Sequence, residues 1–371
     1  MERRILESDR YLHEYDRLIE DAPEATPYVR REYYETVADW LDAESAYLAI
    51  TRTESVVAAL PLVLKRHGLG NVINSGPYFG TYGGIVTDLS LTPADKTEVR
   101  RELLSFFIDF AEREQCVISN IIFPPYERDP LFFEKELPYD YRDRRMGQIT
   151  HLPAPAADRP LRERLLYDRF SKSCRRSVRD AEDADIEIGV TTEPGPKLDG
   201  FYEVYRQEMM GKGYEDQAAR DGGNIKEKAY FEHLMDSFGD DCRLRYATID
   251  DDVIMGIVQL LHGEKIQYHQ PTIDMEYRNT GATNLGVYES MKWGIEHGYS
   301  YYNFGGTWLS QEGLYNFKRR FGALDSPYKY YITEHGDCSH LRDMTPAELQ
   351  EAYPGFYIMP YDELEAQTDG S

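Results

Sequence analysis

The sequence predicts an α/β (α+β) protein built from two similar halves, and three observations lead to this prediction. Two helices, three strands, a helix and a strand follow one another in residues 8–123, and the same order returns in residues 197–304. A stretch rich in proline and alanine, residues 152–160, separates the halves and is typical of a stiff extended connector. The length of 371 residues fits two domains of roughly 100–200 residues each.

The first half begins with two segments of helical apolar spacing, residues 8–20 and 31–42. Short apolar runs then predict three strands, at residues 47–51, 55–64 and 72–75, of which the first two flank a hairpin turn. Apolar residues at helical spacing follow in residues 98–113, and residues 117–123 form another apolar run.

The second half repeats this order. Helices are predicted at residues 197–210, 227–237 and 283–297, the last followed by Gly298 as a helix stop. Strands are predicted at residues 244–249, 253–261, 265–273, 299–304 and 328–332. The turn Asp250-Asp251-Asp252 between the first two of them is a strong hairpin signal. We therefore expect domains at residues 1–150 and 151–345, followed by an acidic tail, residues 346–371, that is frayed after Tyr353.

The charge is strongly negative, with 66 acidic against 42 basic residues and a net charge of −24. Such a surface repels polyanions, which excludes a general DNA-binding protein or a protein that binds anionic membranes through its overall charge. Arginines outnumber lysines, 30 to 12. The excess of acid with few lysines favours a halophilic protein kept soluble in concentrated salt, although an ordinary acidic cytosolic protein remains the alternative.

The four cysteines stand apart, and no spacing typical of a metal site is found, so we expect no metal. The N-terminus lacks the apolar region of a secretory signal. The longest apolar run, residues 56–64, is far too short for a transmembrane segment. A cytoplasmic protein is therefore predicted.

A basic island interrupts the acidic sequence between residues 162 and 179. Four of its residues would share helical faces and offer donors to phosphate oxygens: Lys172, Arg175, Arg176 and Arg179. The alternative is an exposed helix that pairs with neighbouring acidic residues. We take these four as candidate substrate-binding residues.

The step from a strand to a helix at residues 274–283 resembles the pyrophosphate-binding turn of acyl-CoA N-acyltransferases of the GNAT class. That turn reads Arg/Gln-x-x-Gly-x-Gly/Ala, and here Arg278, Gly281 and Thr283 take its places, with Thr283 where Gly or Ala is usual. Backbone N–H groups and a helix N-terminus supply its positive field. The candidate donor-binding residues are Arg278, Gly281, Ala282, Thr283 and Asn284. A plain helix N-cap is the alternative.

A third motif combines Gly305-Gly306 at the end of a strand with Phe317-Lys318 on a short helix. Paired glycines let a ligand approach the backbone, and a lysine held beside aromatic rings can stabilise an oxyanion or a phosphate. The alternative is a packing turn with a solvated lysine. Candidates for removing a proton from the acceptor are Tyr268, His269 and Asp274, on or beside the preceding strand.

Taken together, the motifs resemble the Fem-type (FemAB) aminoacyltransferases and their CelD-like GNAT relatives over about residues 10–335. In the second half the resemblance lies in Arg175-Arg176 with Val178 and Arg179, the strand at 252–258, the turn at 277–284, Asn303-Phe304-Gly305-Gly306, Gly313-Leu314, Phe317-Lys318 and Phe321-Gly322. In the first half it lies in residues 58–62, in Ser75-Gly76-Pro77 and in Tyr82-Gly83-Gly84.

The resemblance implies tandem duplicated GNAT-like (acyl-CoA N-acyltransferase) domains, the N-terminal one degenerate, with the acceptor bound between them. It implies an enzyme that moves an acyl or aminoacyl group onto an amine or hydroxyl of a cell-envelope glycan or lipid precursor. The Phe-Lys pair of the family lies at the transfer site, which corresponds to Phe317 and catalytic Lys318.

The donor implied is acyl-CoA, such as acetyl-CoA, or aminoacyl-tRNA. The long helical arm by which Fem enzymes contact tRNA is absent from the sequence, and the acidic charge disfavours tRNA as well. The alternative to an enzyme is a catalytically degenerate GNAT-like binding or assembly module in a polysaccharide or envelope pathway.

Overall fold

The structure is a computed structural model of the chain. It describes residues 1–77, 80–127, 129–154, 158–211, 225–308 and 311–360. The chain divides into two compact units. Unit 1 contains the described residues of 1–144 and 328–360, and unit 2 contains the described residues from 145 to 327.

The helices of the described residues are α1 Asp9–Asp21, α2 Arg31–Trp40, α3 Pro93–Arg113, α4 Pro130–Glu136, α5 Arg159–Arg169, α6 Lys172–Glu182, α7 Pro196–Gly211, α8 Lys228–Phe238, α9 Ala282–Glu296, α10 Glu312–Arg319, α11 Ser339–Arg342 and α12 Pro346–Ala352. The strands are β1 Glu2–Ile5, β2 Glu44–Arg52, β3 Ser55–Lys65, β4 Asn71–Ser75, β5 Val86–Thr87, β6 Cys116–Ile122, β7 Tyr141–His151, β8 Glu187–Thr191, β9 Cys242–Ile249, β10 Asp252–His262, β11 Lys265–Ile273, β12 Tyr301–Thr307 and β13 Leu324–Glu334.

Unit 1 has the strand order β1-β2-β3-β4-β6-β13. The neighbours β2, β3 and β4 are antiparallel, whereas β4 and β6 are parallel and connected through α3. Apolar side chains of α3, including Leu103 and Phe107, pack on this sheet in one buried cluster with Leu60 and Ile121. That burial supplies the main stabilisation of the unit.

Unit 2 repeats this arrangement with the order β7-β12-β11-β10-β9-β8. Its strands β9, β10 and β11 are antiparallel, and β11 and β12 are parallel and connected through α9. The predicted tandem duplication is therefore confirmed. The predicted degeneracy of the N-terminal half stays a prediction.

The two hairpins that open the repeats have the same turn. Thr53 and Glu54 connect β2 to β3, Asp250 and Asp251 connect β9 to β10, and all four residues have positive φ between 48° and 70°. Two central residues of positive φ are typical of the type I′ turn, whose twist matches that of paired strands. The hairpin predicted at Asp250-Asp251 is present.

The structure differs from the sequence prediction around the connector and the tail. Residues 155–157 of the connector lie outside the described residues, and its last two residues already begin α5, capped by the Asp158 side chain. The chain after Tyr353 is packed rather than frayed as far as Met359, because Phe356, Tyr357, Ile358 and Met359 are all buried. Residues 361–371 lie outside the described residues.

Candidate active site

The parallel strands β11 and β12 are paired along only a small part of their length. Their ladder joins Lys265, Ile266 and Gln267 to Tyr301, Tyr302 and Asn303, although β11 continues to Ile273. In unit 1, by contrast, the parallel ladder of β4 with β6 runs from Asn71 to Ser75, the whole of β4. The second half of β11 therefore offers a strand edge beyond its ladder with β12, and backbone groups on such an edge can bind an extended ligand.

A β-bulge in β11 arranges the side chains next to this edge. Val258 pairs with Gln270 but Gln259 pairs with Tyr268, so His269 is the extra residue of the bulge. His269 Nε2 lies 3.1 Å from the Tyr230 hydroxyl of α8, and Gln270 accepts a hydrogen bond from Lys226 at 3.3 Å. The bulge thus turns two consecutive side chains towards the α8 region.

Burial decides the protonation of this cluster. It lowers the pKa of His269 to about 3, with the charge of Lys226 acting in the same direction. Burial also lowers the pKa of Lys226 to about 8. The imidazole is therefore neutral at pH 7 and is a weak base. The role of His269 as the base stays a prediction.

The other two candidates for the base lie elsewhere. Tyr268 is buried in the aromatic core beside Phe304, 5.4 Å between ring centroids, and burial raises its pKa well above the ordinary value. Asp274 ends the strand: its N–H donates to Ile254 O, and its Oδ1 accepts from the N–H of Glu276 at 2.9 Å. Tyr268, His269 and Asp274 thus each have different contact partners, namely Phe304, Tyr230 and the backbone of Ile254 and Glu276.

Glu208 is a residue of this region that the sequence prediction missed. It lies on α7, and its Oε2 accepts hydrogen bonds from the Thr272 hydroxyl at 2.5 Å and from the Ile273 N–H at 3.1 Å. The sequence holds no signal that would single it out, because it is one of several acidic residues on a helix. Only the packing of α7 against β10 and β11 brings it to the end of β11.

The turn predicted to bind pyrophosphate has the expected backbone. Gly281 precedes α9 with φ +85°, and a Cβ there would lie 2.4 Å from the Ser177 carbonyl oxygen of α6. Both the left-handed conformation and this close approach require glycine. Arg278 is exposed, Ala282 is buried and Thr283 is half-buried. Asn284 Nδ2 lies 3.6 Å from Cys174 Sγ of α6.

Helix α6 carries the four candidate residues of the basic island and packs against α9, which follows this turn. Lys172, Arg176 and Arg179 are exposed, and Arg176 pairs with Asp180 at 3.5 Å. Arg175 is half-buried and donates to the Asp168 carbonyl at 3.3 Å. The structure therefore places the predicted substrate-binding helix next to the predicted donor-binding turn. Arg175 and Arg176 also make contacts within α5 and α6, to Asp168 and Asp180.

Lys318 is buried, with 2 % of its surface exposed, rather than solvated. Its Nζ donates to Gly306 O and Thr307 Oγ1, both at 2.7 Å, and lies 3.5 Å from Gly305 O. Gly305 has φ +75° at an irregularity where the ladder of β12 with β7 is interrupted. Burial lowers the pKa of Lys318 to about 7. The lysine thus holds the distorted end of β12 and can carry or release a proton near neutral pH.

A row of aromatic rings connects this lysine to β11. Tyr268, Phe304, Phe321 and Phe317 follow one another at centroid distances of 5.4, 5.7 and 5.2 Å. Phe317 is half-buried at the end of the row, next to Lys318. Packing of this kind fixes α10 relative to β11 and β12.

The described residues contain neither a cluster of metal-binding side chains nor a membrane-spanning helix. No group of three or more metal-binding side chains occurs among them. Within the same part of the chain, no helix has the length and apolar character that crossing a membrane requires.

Comparison with known proteins bears on this site directly. Residues 168–319, which contain α6, the turn, the bulge and Lys318, match the family described as "Acetyltransferase (GNAT) domain". The comparison with curated proteins finds no match.

Among solved structures the chain is similar to FemX, with a TM-score of 0.66 at 17% identity, covering 89% of this chain and 97% of that one. It is also similar to a tandem GNAT protein from the clavulanic acid biosynthesis pathway, with a TM-score of 0.55 at 10% identity, covering 91% and 99%. A third is the C-terminal domain of a putative lysylphosphatidylglycerol synthetase from Agrobacterium fabrum, with a TM-score of 0.56 at 11% identity, covering 94% and 98%.

These findings confirm the predicted GNAT fold and the predicted acyltransferase class. Residues 168–319 carry an acetyltransferase (GNAT) domain, and the chain as a whole is similar in fold to FemX and to a tandem GNAT protein.

Proposed function

We propose that this protein transfers an acyl group from acyl-CoA to an amine or hydroxyl of a cell-envelope glycan or lipid precursor. One observation carries the proposal: the edge of β11 beyond its ladder with β12, followed directly by the glycine turn and the N-terminus of α9. An extended amide chain fits a strand edge, and phosphates fit a helix N-terminus. We also propose, from the sequence, that the protein is cytoplasmic and that its two domains comprise residues 1–150 and 151–345.

The residues at the turn offer N–H donors and a positive charge, which suit the diphosphate of CoA. The first N–H groups of α9 lack intrahelical partners, and Gly281 gives the turn its left-handed entry. Arg278 is exposed and carries a guanidinium suited to phosphate oxygens. Ala282, Thr283 and Asn284 form the first turn of the helix. Lys172, Arg175, Arg176 and Arg179 on the adjacent α6 would bind a phosphate of the acceptor.

The proposed reaction is direct attack of the acceptor on the thioester carbonyl, without a covalent enzyme intermediate. The acceptor loses a proton, its nitrogen or oxygen bonds to the carbonyl carbon, and the oxyanion collapses with release of the CoA thiolate. Lys318 is the proposed donor to the oxyanion. His269, Tyr268 and Asp274 remain the proposed groups for removing the proton, and Phe317, Gly305 and Gly306 would contact the substrate.

The acceptor class and the preference for acyl-CoA rest on separate arguments. The neighbour titled a putative lysylphosphatidylglycerol synthetase supports a lipid-linked acceptor. The net charge of −24 disfavours tRNA, because a protein of that charge repels a polyanion over its whole surface.

Titration calorimetry with acetyl-CoA tests the donor. We expect micromolar binding, lost in Gly281→Val, because a branched side chain cannot adopt φ +85° beside the Ser177 carbonyl. Incubation with labelled acetyl-CoA and an envelope extract, followed by mass spectrometry of glycans and lipids, tests the transfer. Failure of the wild-type protein to bind acetyl-CoA would contradict the proposal.

A second candidate is a binding or assembly module that has lost its chemistry. The half-buried Thr283, where the GNAT turn usually has Gly or Ala, favours it. Acetyl-CoA binding without transfer to any envelope fraction is the outcome that this candidate predicts.

A further inference from the structure

The backbone geometry shows which groups of β11 face away from β10. The N–H of Asp274 donates to Ile254 O at 2.8 Å, so these two residues form a hydrogen-bonded pair of the antiparallel ladder. Hydrogen-bonded and non-hydrogen-bonded pairs alternate in such a ladder. The next pair, Met255 with Ile273, is therefore non-hydrogen-bonded. The N–H of Ile273 points to the opposite edge of β11, whose ladder with β12 ended at Gln267.

This N–H already donates a hydrogen bond to a carboxylate. Glu208 Oε2 accepts from it at 3.1 Å and is anchored a second time by the Thr272 hydroxyl. Pro271, two residues earlier on the same edge, has no N–H. Ile273 is thus the last backbone donor on this edge before the turn, and α7 covers it.

Helix α7 holds Glu208 in this place through packing at its other end. A Cβ on Gly256 of β10 would lie 2.3 Å from the ring of Phe201, so α7 lies directly on the strand there. Phe201 is fully buried with Phe231 of α8, at 5.2 Å between centroids. The position of the carboxylate is therefore set by the fold and not by a loose surface side chain.

We propose that Glu208 is a specificity-determining residue, which an acyl donor extended along β11 must displace from the Ile273 N–H before it can bind. The inference rests on the proposed function, because it takes the donor to be acyl-CoA. The pantetheine arm of CoA carries amide carbonyls that accept from backbone N–H groups, so the arm competes with the carboxylate for the Ile273 N–H. Glu208 therefore favours acyl donors whose amide carbonyl binds the Ile273 N–H more strongly than the Glu208 carboxylate does.

Calorimetric titration with two probes separates this role from a general charge effect. CoA carries the pantetheine arm, whereas adenosine 3′,5′-bisphosphate carries phosphates without the arm. The variants are Glu208→Ala, Glu208→Gln and the control Glu203→Gln, which removes a charge from the exposed side of the same helix. Thermal melting establishes that each variant is folded.

We expect Glu208→Ala to bind CoA about tenfold more tightly than the wild type, the scale of one hydrogen bond to a charged group. Glu208→Gln keeps an acceptor oxygen but loses the charge, so we expect a smaller gain, and it serves if Glu208→Ala does not fold. Affinity for adenosine 3′,5′-bisphosphate and the affinities of Glu203→Gln should equal those of the wild type.

Unchanged CoA affinity in both Glu208 variants, with a wild type that binds CoA, would overturn the inference and leave the proposed donor intact. Equal gains for both probes would also overturn it, because they indicate charge repulsion alone. Absence of CoA binding in every variant would reject the inference together with the acyl-CoA donor.

Discussion

Lys318 shows how a single side chain joins the fold to the proposed chemistry. A buried ammonium is costly unless it is hydrogen-bonded, and among the described residues two backbone carbonyls and a hydroxyl accept from it, but no carboxylate does. Neutral partners leave the desolvation uncompensated, which explains why its pKa falls to about 7. A group of this kind is typical of functional sites.

We expect Lys318→Ala to lower turnover about 10²-fold, the scale seen when a donor to a developing negative charge is removed. Arg319→Ala is the matched control, because Arg319 is the next residue of α10 and is exposed. Steady-state kinetics with acetyl-CoA measure both. Unchanged turnover in Lys318→Ala would reject the proposed role.

The same lysine predicts a pH dependence of stability. The folded protein binds its proton more weakly than the unfolded chain, whose lysine has the ordinary pKa of 10.5. Between about pH 7 and pH 10.5 the unfolded state therefore carries more protons, and stability rises with pH at a slope of at most about 1.4 kcal/mol per pH unit. Urea unfolding of the wild type and of Lys318→Met measures this.

In that experiment, the free energy of unfolding of the wild type minus that of Lys318→Met should increase as the pH rises from 7 to 10. Comparing the two proteins cancels the other titrating groups. A difference that stays constant over this interval would show that Lys318 is protonated in the folded protein throughout.

At the level of helices and strands, the sequence could predict the elements that local patterns determine. Hairpin turns, the strands beside them and the helical periodicity of α3 and α9 are local patterns, and the structure contains all of them. Strand β7 was missed, because its charged beginning, Arg142 to Arg145, resembles a loop, and its pairing with β12 joins residues that are distant in sequence. Glu208 was missed for the same reason, since its partners are 64 and 65 residues away.

The junction of α6 with the turn before α9 allows a test at the level of elements. Gly281→Ala places a Cβ 2.4 Å from the Ser177 carbonyl in a left-handed conformation, so we expect a loss of about 1–3 kcal/mol in the free energy of unfolding. Gly313→Ala lies in α10 with open space around it and should stabilise by about 0.5–1 kcal/mol. Urea unfolding of both variants checks the pair, and a neutral Gly281→Ala would mean that α6 is free to move away.

The basic residues of α6 make a kinetic prediction. Arg175→Ala combined with Arg176→Ala should raise KM for the acceptor more than it lowers kcat, because phosphate contacts of this kind act equally in the ground and transition states. Arg164→Ala on α5 is the control, an exposed arginine whose carboxylate neighbour is Asp168. A fall in kcat with KM unchanged would contradict the binding role.

At the scale of the whole molecule, the two units share one strand order but differ at the parallel pair. In unit 1 the ladder of β4 with β6 covers all of β4, whereas in unit 2 the ladder of β11 with β12 stops after Gln267. The order of elements could be read from the sequence in both halves. The difference between the two parallel pairs could not, because the length of a ladder depends on contacts between residues that are distant in sequence.

Hydrogen exchange of the backbone, with and without acetyl-CoA, tests the central claim most directly. If the donor lies along the edge of β11 in unit 2, peptides covering residues 268–273 and 281–284 gain protection, and the peptide of β4, Asn71–Ser75, does not. Protection confined to β4, or no change at any of these segments under saturating acetyl-CoA, would contradict the account.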